Sequence, residues 1–197
     1  MNRRIRRQLM RLNNLVGRKT GSKLQRVPYS RPSTLRAQAM FGDRPLRILE
    51  IGCAAGNNAL DVLTRLRVSQ YVVVDPYEHA ANEYADYNRE RLALMRRQSQ
   101  HRLRAFADRI FWVYEESLKA TPHVEGPFDM IYVDGDHSCQ AVLADMEAFY
   151  PLLAERCVFG GHDIDQPEVA RAFVEFVSSR RIPHFEIKDP DWIIYRD

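Results

Sequence analysis

No stretch of this chain approaches the ~20 consecutive apolar residues that a membrane span needs. Nor does an apolar core follow the N-terminal arginines, so the start does not read as a secretory signal. Cysteine is scarce: Cys53, Cys139 and Cys157 show neither a zinc-ligand spacing nor the even count of a disulfide framework. Cys53 and Cys157 fall in apolar segments, where a free thiol behaves as a small apolar residue. These absences point to a reducing, cytoplasmic setting. Internal repeats are missing too. At 197 residues, 45% hydrophobic and 28% charged, the chain has the size and balance of one globular domain.

Acidic residues are nearly absent from the first 45 positions, where twelve Lys and Arg stand against Asp43 alone. That segment carries +11 and the remainder −8, an asymmetry the overall +3 conceals. Such an arm can attract nucleic acid, anionic lipid or an acidic substrate. Its aromatics are few, Tyr29 and Phe41, which argues against single-strand base stacking. The spacing Arg3-Arg4-x-Arg6-Arg7 with Met10, Leu12 and Leu15 also fits a short amphipathic helix at an anionic surface. A solvated arm facing a partner explains the same charges. The expected division is a basic arm and linker over 1–33 and a folded domain over 34–197.

What is present is concentrated in one turn. Ile48-Leu49-Glu50-Ile51-Gly52-Cys53-Ala54-Ala55-Gly56-Asn57 reads as a strand, a tight turn and a helix start. Glycines there let the backbone turn sharply and let a ligand approach the main chain, as in the nucleotide-binding turn of doubly wound α/β proteins. A second apolar run, Tyr71 to Val74, ends in Asp75, 19 positions after Gly56. An acid so placed can accept hydrogen bonds from ribose hydroxyls. The turn departs from the dinucleotide fingerprint, and Glu50 at the strand end would repel pyrophosphate while serving an amine-bearing ligand. An NAD-dependent oxidoreductase is therefore disfavoured.

Strands are expected at 46–51, 71–74, 110–114, 130–133 and 157–160, with helices at 34–40, 57–66, 140–153 and 167–179. A long helical stretch over 79–106 is expected to break near Ser99. Residues 184–187 and 192–195 read as two strands joined by so short a turn that they must be antiparallel. Strand and helix alternate, which argues for a mainly parallel sheet with right-handed crossovers.

The turn Glu50-x-Gly52-x-Ala54-x-Gly56 resembles the first motif of class I S-adenosylmethionine-dependent methyltransferases, E/D-x-G-x-G-x-G, with Ala54 in place of the middle glycine. Further on, Asp134-Gly135-Asp136-His137, Asp145, Leu152-Leu153 and Gly160-Gly161-His162-Asp163 follow in order. This is similar to a bacterial methyltransferase family with a D-G-x-H…D…LL…GG…HD pattern, related to macrolide-sugar and catechol-type O-methyltransferases. The resemblance runs from about Arg47 to the C-terminus. It implies a Rossmann-like, doubly wound, seven-stranded and mainly parallel α/β sheet with an antiparallel last strand. It also implies S-adenosylmethionine as cofactor.

On that resemblance Glu50, Gly52, Cys53, Ala54, Gly56 and Asn57 frame the methionine part, with Asn58 as an alternative to Asn57. Asp75 takes the ribose, Tyr77 packs beside the adenosine, Glu116 and Ser117 face the adenine edge, and Asp134 completes the cofactor set. His137 stands where related sugar O-methyltransferases place a general base, and an imidazole near pKa ~6.5 suits that task. Capping the next helix is the other role open to it. Asp134, His162 and Asp163 are the candidate metal ligands, for Mg²⁺ or another divalent ion. The metal-dependent relatives carry two acidic or amide residues where this chain has His162-Asp163, and an imidazole favours softer ions than Mg²⁺. Asp145 is expected to be structural.

The leading expectation is methyl transfer to a hydroxyl of a small molecule or sugar. RNA methylation using the basic arm, and a non-catalytic adaptor on the same fold, are the alternatives. A homodimer is compatible with the chain, since dimers are the commonest closed assembly.

Overall fold

The computed structural model describes residues 30–80 and 88–197. The amphipathic-helix expectation over residues 3–15 lies outside them. The first element is helix α1, Pro32–Phe41, and the first strand is β1, Leu46–Ile51. Then come α2 (Asn57–Arg65), β2 (Val68–Val74), α3 (Arg89–Leu103) and β3 (Ile110–Val113). The second half holds a short helix α4 (Ser117–Ala120), β4 (Phe128–Val133), α5 (Cys139–Phe149), β5 (Leu153–Gly161), α6 (Pro167–Ser179), β6 (Phe185–Lys188) and β7 (Asp191–Arg196).

The strands form one seven-stranded sheet in the order β3-β2-β1-β4-β5-β7-β6. All neighbours from β3 to β5 are parallel, and β7 runs antiparallel between β5 and β6. The expected antiparallel last strand is therefore β7. The order reverses between β1 and β4, which is where an open α/β sheet opens a crevice beyond its strand ends.

Central strands are largely apolar because both faces are covered. Side chains alternate across the sheet, so Leu49, Ile51, Ile131, Val133 and Phe159 meet α5 and α6 on one face. Ile48, Met130, Tyr132 and Val158 meet α1 and α2 on the other. Glu50 falls on this second face by the same alternation, in a position otherwise filled by apolar groups.

Two local expectations need correction. The first helix starts at Pro32 with Arg31 as its N-cap residue, not at a Thr34 cap. Proline is well suited to the first helical turn, where its missing N–H is not needed, and Thr34 is buried inside that turn with no hydrogen bond to its Oγ1. Helix α3 runs unbroken through Ser99, which is fully buried and bonds to Tyr77 Oη at 2.9 Å. Its serine works as an inward hydrogen-bonding group, so no break is required.

One buried knot fixes α1 to the sheet. Asp191, at the start of β7 and fully buried, accepts from Ser33 N at 3.0 Å and Ser33 Oγ at 2.6 Å through Oδ2. Its Oδ1 accepts from Tyr132 Oη at 3.0 Å. Ser33 can come so close because β5 offers a glycine: a Cβ on Gly160 would lie 2.4 Å from Ser33 Oγ. Burial pushes the Asp191 carboxyl up, and the three donors oppose it. Replacing Asp191 by alanine leaves three buried donors without an acceptor, so unfolding free energy should fall by about 2–4 kcal/mol. Urea denaturation measures this, and a change below about 1 kcal/mol would remove the knot from the account of stability.

Candidate functional site

The carboxyl ends of β1, β2 and β4 open onto a cavity of about 700 Å³, a size common for small-molecule sites. The glycine turn forms its floor. Gly52 has φ +80°, and a Cβ there would lie 2.1 Å from the Asp134 carbonyl oxygen. Only glycine allows β1 and β4 to converge so closely. Gly56, also left-handed, is the N-cap of α2, and Asn57 opens that helix at the cavity wall.

Asp75, 8% exposed, holds this turn in shape. Its Oδ2 accepts from Cys53 N and Ala54 N, each at 2.9 Å, and its Oδ1 from Tyr77 N at 2.9 Å. Burial raises its carboxyl above the ordinary range, and these backbone bonds pull against that rise. A carboxylate offers about four acceptor positions, so one remains on Oδ1 for a ligand hydroxyl. Ala54 and Tyr77 both sit at positive φ, 47° and 46°. A non-glycine residue there costs roughly 1–2 kcal/mol. Cys53 meets the cavity with its backbone and buries its thiol. The Tyr77 ring is 1% exposed and donates its hydroxyl toward Ala54 O at 3.0 Å, so it braces the turn from beneath.

Glu50 lies 1% exposed on the same wall. Asn58 Nδ2 donates to its Oε1 at 2.8 Å, while Glu50 Oε2 and Asn58 Oδ1 have no hydrogen-bond partner among the described residues. Burial pushes the Glu50 carboxyl up to about 7, against the hydrogen bonds it receives. Two orphaned acceptors beside a glycine turn form a cradle for an amine. Of the two asparagines, Asn58 makes the contact with Glu50. Glu116 and Ser117 lie on the wall at the start of α4, and Glu116 pairs with Lys119 at 2.8 Å.

Asp134 and His137, on the cavity wall, meet His162 and Asp163 from the end of β5. His137 Nε2 lies 3.3 Å from Asp163 Oδ2 and 3.7 Å from Asp134 Oδ1. His162 Nδ1 lies 2.9 Å from Asp163 Oδ2 and 3.5 Å from Asp134 Oδ1. Asp134, His162 and Asp163 each offer one ligand atom, all within 4.8 Å of one another. The loop carrying His137 is set by its neighbours: Asp136 Oδ1 accepts from Ser138 N at 2.7 Å, and Ser138 caps α5. His137 does not cap that helix, which leaves its ring free for the cluster. The Asp134 carboxylate, and then the charges of Asp163 and Asp136, hold its imidazole above the ordinary value against the effect of burial. Burial works to raise the Asp163 carboxyl, but His162 and His137 outweigh it and the result is lowered. Asp163 also takes a left-handed φ of 58°, a third strained residue at the site.

Two wall residues were not foreseen. Asp145, expected to be structural, is 3% exposed on the cavity wall near Ser117, with burial pushing its carboxyl up to about 6. Its place on the inward face of α5 was readable from helical spacing, but not its approach to the cavity. Arg31 also reaches the wall, 3.9 Å from Asp134 Oδ2. Nothing in the sequence distinguished it from the other arginines of the basic segment.

A family model described as a methyltransferase domain matches residues 49–164. No curated protein sequence matches the chain. Among solved structures, a methyltransferase from Geobacter sulfurreducens is similar at TM-score 0.62 and 14% identity, over 100% of this chain and 96% of that one. An O-methyltransferase from Bacillus cereus in complex with SAH is similar at TM-score 0.59 and 13% identity, over 94% and 97%. The spermidine synthase of Thermotoga maritima shares the architecture at TM-score 0.53 and 14% identity, over 83% and 60%. At such identities the structures establish the fold, and it is the family model, spanning both the glycine turn and the His162-Asp163 end of β5, that assigns the chain. The chain belongs to this methyltransferase-domain family, among the class I S-adenosylmethionine-dependent methyltransferases.

Proposed function

We propose that the protein methylates a hydroxyl oxygen of a small molecule or sugar, with His137 as the base and a divalent cation as an aid. The observation that carries this reading is that His137 and Asp134, on the wall of the cavity that Glu50 and Asn58 also line, converge with His162 and Asp163.

S-adenosylmethionine supplies an electrophilic methyl group on a positively charged sulfur, which takes back the electron pair of the broken carbon–sulfur bond. Glu50 and Asn58 offer acceptors to the ammonium of its amino-acid end, Asp75 offers its remaining lone pair to the ribose, and Glu116 and Ser117 stand beside the base. At the far end His137 Nε2, without a hydrogen-bond partner of its own, takes the acceptor's hydroxyl proton as the oxygen attacks the methyl carbon. Asp163 faces that same nitrogen and stabilises the resulting imidazolium. The ligand atoms of Asp134, His162 and Asp163 fit a divalent ion by their spacing, and such an ion would lower the hydroxyl's pKa. One nitrogen and two carboxylate oxygens suit Mn²⁺, Fe²⁺ or Zn²⁺ as well as Mg²⁺.

Replacing His137 by alanine should lower kcat about 100- to 10,000-fold while leaving S-adenosylhomocysteine affinity unchanged. Wild-type turnover in that variant would remove His137 from the reaction. Calorimetric titration with Mn²⁺ should give a heat that Asp163→Ala weakens by at least about 10–100-fold, the range even outer-shell partners reach. Equal heats in both proteins would place any ion elsewhere.

Glu50 sets a pH dependence. Its folded value of about 7 lies above the ordinary 4.5, so the native state holds a proton that the unfolded chain releases. Stability is therefore highest below about 4.5 and is lost as pH rises to about 7. At about 1.4 kcal/mol per pH unit the loss is on the order of 3 kcal/mol. Ligand-free Glu50→Gln should escape this loss between pH 5 and 8, and should bind S-adenosylhomocysteine more weakly than wild type at pH 8. Parallel melting curves of the two proteins across that range would show that Glu50 is ionised throughout.

A further inference from the structure

Arg31 is a cavity group for which methyl transfer itself has no use. Its side chain is 23% exposed on the wall, and its Nη2 lies 3.9 Å from Asp134 Oδ2, the outer limit of an ion pair. Its guanidinium donates no hydrogen bond to a described residue. An arginine carries five donors in a planar fork, so this one reaches the cavity with its bonding capacity unspent. The other permanently charged cation on the wall, Lys119, is paired with Glu116 beside the cofactor end.

The position of Arg31 is held from both sides. It is the N-cap of α1, in extended conformation, and Pro32 follows it. Two residues on, Ser33 is bolted through N and Oγ to buried Asp191, which also holds Tyr132. The backbone that carries the side chain is fixed, so less conformational freedom remains to be lost when Arg31 binds a ligand.

The geometry around Asp134 says where such a ligand would reach. Its Oδ2 faces Arg31, and its Oδ1 faces His137 at 3.7 Å and His162 at 3.5 Å. The guanidinium and the proton-accepting imidazole therefore flank one carboxylate. A molecule whose hydroxyl meets His137 can place a second group, a few bonds away, against Arg31. The planar fork matches a carboxylate or phosphate bidentately, a fit that neutral hydroxyls do not offer.

We propose that Arg31 recognises the methyl acceptor, and that the acceptor is an anion bearing a carboxylate or phosphate within a few bonds of the hydroxyl. The proposal rests on the methyl-transfer reading above and narrows its substrate class.

The test uses the full chain saturated with S-adenosylhomocysteine, in EDTA, titrated by ligand-observed NMR with benzoate, phenyl phosphate and neutral benzyl alcohol. Wild type should bind at least one anion and should bind benzyl alcohol at least 10-fold more weakly. Arg31→Gln should weaken the anion at least 10-fold with S-adenosylhomocysteine affinity unchanged, and Arg31→Lys, which keeps the charge but not the fork, should fall between. Preference for benzoate identifies a carboxylate acceptor, and preference for phenyl phosphate a phosphorylated one. Anion binding that is absent, that survives Arg31→Gln, or that is matched by benzyl alcohol overturns the proposal while leaving the methyltransferase reading intact. Failure of wild type to bind S-adenosylhomocysteine overturns both. Should Arg31→Gln unfold, Arg31→Lys decides: undiminished anion affinity there rejects the fork, and reduced affinity supports it.

Discussion

The carboxylate of Asp75 is the interaction on which the glycine turn of this structure depends. It gathers the backbone N–H groups of Cys53, Ala54 and Tyr77 onto one acid at the end of β2. Without it the glycine turn would carry buried donors with nothing to meet, in a region where Ala54 and Tyr77 already hold left-handed backbone. Each such donor left unpaired costs roughly 1–3 kcal/mol, as large as the local strain of either residue. The acid thus compensates the strain and still keeps one acceptor position for a ligand. Tyr77 completes the brace by reaching back to Ala54 O and across to Ser99 on α3.

The two ends of the cavity are built on opposite electrostatic principles. Glu50 lies buried among neutral donors, so desolvation outweighs the hydrogen bonds it receives and its carboxyl rises to about 7. Such an acid favours a cationic partner, because an ammonium supplies the charge that burial has withheld. At the other end Asp134, His137, His162 and Asp163 face one another at 2.9–3.7 Å. There the charges compensate each other, and Asp163 falls while His137 rises. Opposite shifts in neighbouring groups mark a charge pair, each partner favouring the ionised form of the other.

Placement of the second cluster depends on contacts far from it. Gly52 lets β1 and β4 close to a distance no side chain would permit, which brings Asp134 over the glycine turn. Parallel pairing of β4 with β5 sets Val133 against Gly161, and His162 N bonds to Val133 O, which puts His162 and Asp163 beside Asp134. Across the sheet, Ser33, Asp191 and Tyr132 fix α1 so that Arg31 enters the same cavity. Arg31 and His137, remote from each other in the chain, therefore share one wall.

The sequence by itself determined the architecture and the carboxyl ends of the strands, though β2 and β5 begin earlier than expected, at Val68 and Leu153. Apolar runs of strand length marked β1, β2, β4 and β5, the turn spacing marked the cofactor end, and alternation of strand with helix required a parallel sheet. These are local or periodic properties, which a linear reading captures. Proline at the start of α6 and the acids after β1, β2, β4 and β5 were legible for the same reason. Only the tertiary structure decided which of those acids would be paired and which left bare. It gave Asp75 three backbone donors, Glu50 one neutral amide and Asp145 a place on the cavity wall. It also distinguished Arg31 from eleven other basic residues of its segment. Those outcomes depend on burial and on distances between groups remote in sequence, and neither is encoded in the spacing of any one stretch of chain.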